Sequence, residues 1–547
     1  TMRWEADSPL RFSRPIRWLL ALHGDNVMPL ELNNLKSSDI TYGHSLYGAP
    51  ALRVKNAQDF LKALKKNKIM YDFNERKALI EKQLIKRSWH KNYQLLDEVS
   101  GLLEYPDFLE GNFMNKYLKL PKEVFIASMS KNQRIFPLED KQGNLTNKFL
   151  AVLNGVIKNK KRTALHYQNV LDAKLKDALF FYDEDSKTAI SKKAVLLKDM
   201  VFHKKLGSYQ DKVERLKKLS SYFKEVFALT DKEYDDLLKA ISLCKADLLT
   251  QMVGEFPSLQ GVMGKYYAKA EGLDIEICEA IEEHYKPRFA EDSLPKTKLG
   301  ACLAIMDKFD SVICHFKAGN QPKTGGDMYA LRRQAIGIIN IILDKNIHLS
   351  LSDVYDKVFD IAPCTADKNV LKKELMEFLK ERLIGMIEAQ YKPRHDLTDA
   401  VVASGFDDIY NFSLRLRALS NIIDENYFEC ARCVVERTNN ITKSISNFKD
   451  NIDASLFEMQ EERALFESYK NIKDKVSVLI KEKDFKAVTK IYGEALFTIT
   501  NTFFDKVMVN VENQNLRNNR LKLLRDINQL YTKDIADLAK MERRTIE

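Results

Sequence analysis

The chain has 547 residues, 45% of them hydrophobic and 30% charged, with 87 basic against 77 acidic side chains and a net charge of +10. That length is more than one core organises, so about three or four domains are expected, and the modest positive balance permits a polyanionic partner without requiring one. Apolar stretches such as Ala335–Leu343, which Asn340 interrupts, are far below a membrane span and no signal-peptide pattern opens the chain, so a soluble cytoplasmic protein without a membrane partner is expected.

Residues 1 to about 185 mix strand-like and helical segments. Ile16–Leu22 reads as a buried strand entering a turn at His23-Gly24-Asp25, with Val27–Leu32 as its hairpin partner. Ala57–Arg87 is helical by periodicity, and Val124–Met129 and Lys148–Leu153 return to strand character. An α/β domain is predicted. His23 and His44 each sit beside a Gly and read as turn residues, and Arg11, Arg14 and Arg17 near Trp4 and Trp18 read as a structural cation–π cluster. Ser128-Met129-Ser130-Lys131-Asn132 has the look of an ATP-binding signature of class I synthetases, but the His-x-Gly-His that must accompany it is absent: Tyr42-Gly43-His44-Ser45 lacks the first His.

From about Lys192 onward the pattern is helical. Val201–Gly207 starts the array, and Leu243–Tyr267, Glu282–Arg288 and Met306–Asp310 follow. His203 early, Asp247 in the middle and Asp307 late give the order of an HD-type metal phosphohydrolase, whose chemistry needs His, His-Asp and Asp on one divalent ion. Ala246 stands where the central His is required and offers no lone pair, while Lys245 beside Asp247 supplies a charge partner in place of a metal. No bound metal and no catalytic residue are expected. Gly261–Lys265 is two residues too short for a P-loop. The loop Lys317–Lys323 with Gly325 and Gly326 precedes a helix opening near Asp327; Arg332 and Arg333 in its first turns could hold a phosphate, or Asp327 could simply cap it. Between Asn346 and Val402 shorter helices broken by Pro363 and Pro393 suit a connecting segment. Seven scattered cysteines, with Cys430 and Cys433 as an isolated CxxC, fit free thiols.

The last helix, within Val507–Leu538, carries the main binding signal. Leu523, Leu524, Ile527, Leu530 and Tyr531 share an apolar sector, while Asn518, Lys522, Arg525 and Gln529 gather opposite. Arg517 lies at the sector's edge and completes an RNA-binding face with Asn518, Lys522 and Arg525, since forked cations and amides suit phosphates and base edges. A plain solvated helix face is the competing reading. Arg520 projects into the apolar sector and must find a buried carboxylate or carbonyl.

Phe503–Val509 followed by Leu516–Leu521 resembles the DALR-type anticodon-binding domain of aminoacyl-tRNA synthetases, and specifically the end of the bacterial glycyl-tRNA synthetase beta subunit. Met2-Arg3-Trp4, Phe12-Ser13-Arg14-Pro15, Gly43-His44, Leu103–Pro106, Phe136-Pro137, Lys245–Leu248, Met252–Phe256, Leu259–Gly264, Tyr285–Arg288 and Tyr329–Ala335 are similar to that family's landmarks, in order. The resemblance implies an α+β multidomain protein, predominantly α: a B3/B4-like α/β domain over 1–185, a degenerate HD-like helical domain over 186–345, a helical linker over 346–402 and a DALR-type anticodon-binding domain over 403–547, with an N-terminal part of the family missing ahead of Thr1. It implies a tRNA-binding beta subunit of the heterotetrameric glycine–tRNA ligase, two alpha and two beta chains, with ATP, Mg²⁺ and glycine activation on the alpha subunit and tRNA(Gly) as partner. Arg437 follows Val435-Glu436, where the family pattern has a basic pair, and is the weaker candidate for tRNA contact. Alternatives are an HD-type phosphohydrolase and a non-catalytic RNA-binding assembly protein.

Overall fold

The computed structural model describes residues 2–3, 11–12, 14, 16–323, 325–443 and 451–542, with Met2, Arg3, Lys131 and Asn132 as backbone only. Of the landmark residues above, Trp4, Ser13 and Pro15 lie outside the described set, as do the side chains of Lys131 and Asn132. The chain divides into two compact units, residues 1–188 with 250–262, and residues 189–249 with 263–547.

The first unit centres on an antiparallel sheet of β1 (Pro106–Asn112), β2 (Phe136–Glu139) and β3 (Leu145–Asn154), in the order β1-β3-β2. The middle strand buries Phe149 to Leu153 without interruption, as a strand covered on both faces must. Helices α1 (Ala57–Lys66), α2 (Phe73–Ile85) and α3 (Tyr93–Leu102) accompany it; Ile80, Leu84, Leu95 and Leu96 pack with Phe136 and Leu150 in one core. The helix expected over Ala57–Arg87 is thus two. Lys68 takes φ +60° and Asp72 caps the second helix through the amides of Asn74 and Glu75, so local capping wins over the continuous periodicity. α4 (Lys160–Ser186) runs 27 residues.

Two strand expectations fail here. Val124–Met129 lies in a short helix, Lys122–Ile126, and the π turn Ala127–Gln133; Val124, Phe125 and Met129 are buried, and an apolar run this short reads equally well as a buried helix. Ile16–Leu22 is not a buried strand: Leu22-His23 and Asn26-Val27 do form a minimal hairpin around Gly24, but Trp18, Val27, Met28 and Leu30 are exposed. Trp18 meets Tyr42 edge-on at 4.7 Å, rather than one of the arginines predicted to stack on it. His44 is a buried turn residue: its Nδ1 accepts the amide of Leu46 and its Nε2 pairs with Asn154 Oδ1 at 2.9 Å.

The second unit is helical. A two-strand hairpin, Val201–His203 with Gly207–Ser208, stands where the helical array was expected to start; Ser208 and Asp211 then form a capping box that opens α5 (Tyr209–Val226). α6 (Asp231–Leu243), α7 (Ile275–Glu283) and α8 (Lys298–Lys317) follow, and α8 is buried from Leu299 to Phe316. α5, α7, α9 (Leu331–Lys345) and α10 (Leu351–Ile361) pack around it. The expectation of short helices between the two prolines fails: α11 (Lys368–Tyr391) runs 24 residues, because Pro363 and Pro393 fall just outside its ends, where proline costs no internal hydrogen bond. α12 (His395–Ala403), α13 (Ile409–Ser420), α14 (Asn426–Thr442), α15 (Gln460–Glu482), α16 (Phe485–Lys506) and α17 (Gln514–Thr532) form the C-terminal bundle. All seven cysteines are free thiols, and among the described residues no helix is long and apolar enough to cross a membrane.

Candidate nucleic-acid interface

α17 is seated by its apolar stripe. Leu516, Leu521, Leu523, Leu524, Ile527 and Tyr531 are buried against α14, α15 and α16, whereas Leu530 is only half-buried. The polar atoms that enter this core are satisfied in place. Tyr531 Oη meets Thr489 Oγ1 at 2.8 Å, Tyr492 donates to the carbonyl of Ile527, and Asn528 donates to Val435 O and Thr438 Oγ1. Asn519 faces inward and exchanges two hydrogen bonds with the backbone of Asp453.

Arg520 finds the carboxylate its position demands. Its Nε donates to Glu462 Oε1 at 2.7 Å and its Nη2 to Oε2 at 3.1 Å, with Nη1 on the carbonyl of Met508 at 2.8 Å; both charged side chains are buried. This is a bidentate clamp between α17 and the first turn of α15, whose own end groups the same carboxylate caps at Glu458 and Met459.

Opposite the clamp, Asn518 and Gln529 are exposed and Arg517, Lys522 and Arg525 half-buried. Lys522 is ion-paired with Asp526 one turn on, so the face carries an internal counter-charge that the residue pattern did not count. Arg437, on α14, donates to Asn501 Oδ1 at 2.6 Å and stacks 4.8 Å over Phe504 of α16, with part of its guanidinium outward. Glu436, the departure from a basic pair, is used internally: it accepts from Arg432 at 2.8 Å, while Val435 is buried.

At the start of α9 the helix end is already filled. Asp327 accepts the amides of Leu331 and Arg332, each at 2.8 Å, and Arg332 Nη2 donates to the carbonyl of Lys323. Asp327 thus caps the helix and occupies the amides that a phosphate would use, while Arg333 is exposed.

The HD positions do not assemble into a metal site. Ala246 is buried and provides no donor atom. Asp247 accepts the amide of Gly264 at 3.1 Å. Asp307 lies between two ammonium groups, Lys212 at 3.2 Å and Lys245 at 3.1 Å, and the Lys245 amine also reaches His284 Nε2 at 2.9 Å. The expected charge partner Lys245 serves Asp307. His203 turns toward the rings of His315 and Tyr329 and toward Asn320. Burial pushes the Asp307 carboxyl up, but the cations, Lys212 first, outweigh it and hold it well below its usual range. Burial and the Lys245 charge hold His284 neutral, consistent with Nδ1–H donating to the carbonyl of Ile281. Sequence reading missed this network, which also takes in Arg215, bidentate on Asp310; its partners lie from 39 to 98 residues apart and share no local motif.

Two family descriptions match the chain: glycyl-tRNA synthetase beta subunit over residues 1–403, and DALR anticodon binding domain over residues 433–535. Among curated relatives, the glycine–tRNA ligase beta subunit of Clostridioides difficile is 38% identical over 547 residues, covering 99% of this chain and 78% of the relative. The beta subunits of Desulforamulus reducens, 37% identical with the same shares, and Rickettsia canadensis, 35% identical over 97% of this chain and 79% of the relative, are similar over the same extent.

Proposed function

The chain belongs to the glycyl-tRNA synthetase beta-subunit family, and from that premise we infer that it is the tRNA-binding beta subunit of a glycine–tRNA ligase, carrying the anticodon end of the tRNA on its C-terminal bundle. The observation that carries the reading is the match of two family descriptions in order along one chain, the second on the helices that present Arg517, Asn518, Lys522 and Arg525. Ligation of glycine to tRNA needs ATP and an amino acid held in line. That work we assign to a separate alpha subunit, with its ATP and Mg²⁺, in an assembly of two alpha and two beta chains that acts on tRNA(Gly). Support comes from this chain's charged centre, where Asp307 and His284 are engaged by Lys212 and Lys245 and are not left to a metal-bound water.

ATP–pyrophosphate exchange measured with each chain alone and with both together tests the division of labour. Exchange that depends on the alpha chain, and glycylation that needs both, is the expected result. Robust exchange by this chain alone overturns it.

A further inference from the structure

Where α11 ends, the chain turns through Lys392, Pro393 and Arg394 into α12, and α13 crosses beside them. The three helices enclose a cavity of about 540 Å³, within the range of pockets that hold small ligands, roughly 300–1,000 Å³. Its floor is apolar, from the buried residues Ile387, Leu397 and Leu416. Its rim is aromatic and cationic. Tyr391 is 42% exposed; the Arg417 guanidinium lies 4.7 Å from its ring and donates to its hydroxyl. Lys392 and Arg394 also line the space, and among the described residues no carboxylate does. Asp396 is paired with Arg394 and Glu388 with His395, while Lys392 and Arg417 supply the other cationic groups of the rim. Ser420 and Asn421 add hydroxyl and amide groups at the mouth.

An apolar slot walled by a tyrosine with a stacked guanidinium, with cations and one amide at its edge, has the chemistry of a site for an unstacked nucleotide. The base takes the aromatic and apolar surfaces, the phosphate takes the cations, and the amide meets a base edge. We propose that the cavity between α11, α12 and α13 holds one unpaired nucleotide of the bound tRNA, at a site separate from the α17 face. The assignment rests on the tRNA-binding role inferred above. A free mononucleotide offers the same chemistry, but the proposal commits to the RNA, because a rim cation exposed in a turn, as Lys392 is, can follow a phosphate backbone past the mouth of the pocket.

The test uses the full chain with its alpha partner and tRNA(Gly), in binding titrations over a salt series. Tyr391→Leu keeps apolar bulk and removes the stacking ring; Tyr391→Phe keeps the ring and removes the hydroxyl. Lys392→Asn removes a charge while tolerating the left-handed backbone found there, φ +47°. The expected pattern is about a tenfold or greater loss for Tyr391→Leu, little change for Tyr391→Phe, and for Lys392→Asn a salt dependence shallower by about one phosphate contact. Unchanged affinity and salt slope in both Tyr391→Leu and Lys392→Asn, with the wild type binding tightly, overturns this site and leaves the tRNA-binding role standing. If AMP or ATP in equilibrium dialysis binds the wild type in a Tyr391-dependent way while tRNA affinity is indifferent to Tyr391, the pocket belongs to a free nucleotide and the proposal fails. A wild type that does not bind tRNA at all removes both readings together.

Discussion

Breaking the Glu462–Arg520 clamp is the most direct test of how α17 is held. The Glu462 side chain has no exposure and accepts four hydrogen bonds, two from Arg520 at 2.7 and 3.1 Å and two from the amides of Glu458 and Met459 at 3.0 and 2.8 Å. Glu462→Ala leaves a guanidinium, 3% exposed, with only the carbonyl of Met508 and the exposed carboxylate of Glu458 3.8 Å away. Removing one partner of a buried pair costs about 3–5 kcal/mol, whereas replacing both by apolar groups of similar volume is often neutral. Hydrogen exchange of the 514–532 peptides reads the local opening free energy without assuming that the whole chain unfolds in one step. Glu462→Ala should accelerate that exchange about a hundredfold or more, and Glu462→Leu with Arg520→Met should recover most of the protection. The pH dependence has a definite sign. Burial pushes the Glu462 pKa up, but Arg520 and the amide donors outweigh it, so the folded value lies below the ordinary 4.5. Its stabilisation is complete above pH 4.5 and lost as pH falls through the folded value, a decline that Glu462→Gln should lack. A single variant that opens less than about 1 kcal/mol more easily, or a double variant worse than the single, refutes the clamp as the determinant.

Arg525→Ala should weaken tRNA(Gly) binding by about 1–3 kcal/mol if it reads a base, and uniformly across tRNAs with a shallower salt slope if it meets phosphate; titration against cognate and non-cognate tRNA separates the two. Asp526→Asn releases Lys522 from its ion pair and should tighten low-salt binding by a few tenths of a kcal/mol to about 1 kcal/mol, a gain that vanishes at high salt. Burial lowers Lys308 to about 7, so the unfolded chain binds the extra proton between pH 7 and 10.5 and stability from this group rises with pH across that window; Lys308→Met should flatten the rise in thermal midpoint relative to wild type. Gly155→Ala places a Cβ 2.7 Å from Leu46 and 3.1 Å from His44 at φ +94° and should lower the thermal midpoint through a loss of more than about 1 kcal/mol.

What the residues announced was local and periodic. The stripe on α17 and the misfit of Arg520 follow from 3.6-residue spacing alone, and the buried run Phe149–Leu153 announces a covered strand. What they hid needed distance. Val124–Met129 has strand-like composition, but Pro121 and its own burial make it helical. Asp526 is the exception: it stands four residues past Lys522, a spacing that announces their ion pair, and a face read as purely cationic leaves it out. The cavity rim unites Tyr391, Lys392 and Arg417 from two helices and a turn, and no window of the sequence displays them together.

The charged centre of the second unit extends this reasoning to the HD-like order of residues. Lys245 Nζ contacts a carboxylate at 3.1 Å and an imidazole nitrogen at 2.9 Å, the kinds of donor a divalent ion takes in a hydrolytic site. A tethered ammonium satisfies the same lone pairs without an exchangeable ion and without an open position for water. Two consequences are measurable. Dialysis against a chelator should leave the thermal midpoint unchanged, because the amine is covalently attached. Lys245→Met should destabilise by about 3–5 kcal/mol, because Asp307 then keeps Lys212 alone and the neutral His284 loses its donor in a site closed to solvent. A chelator-sensitive midpoint, or a Lys245→Met protein as stable as the wild type, would mean that the amine is a bystander and that the carboxylate is balanced by something else.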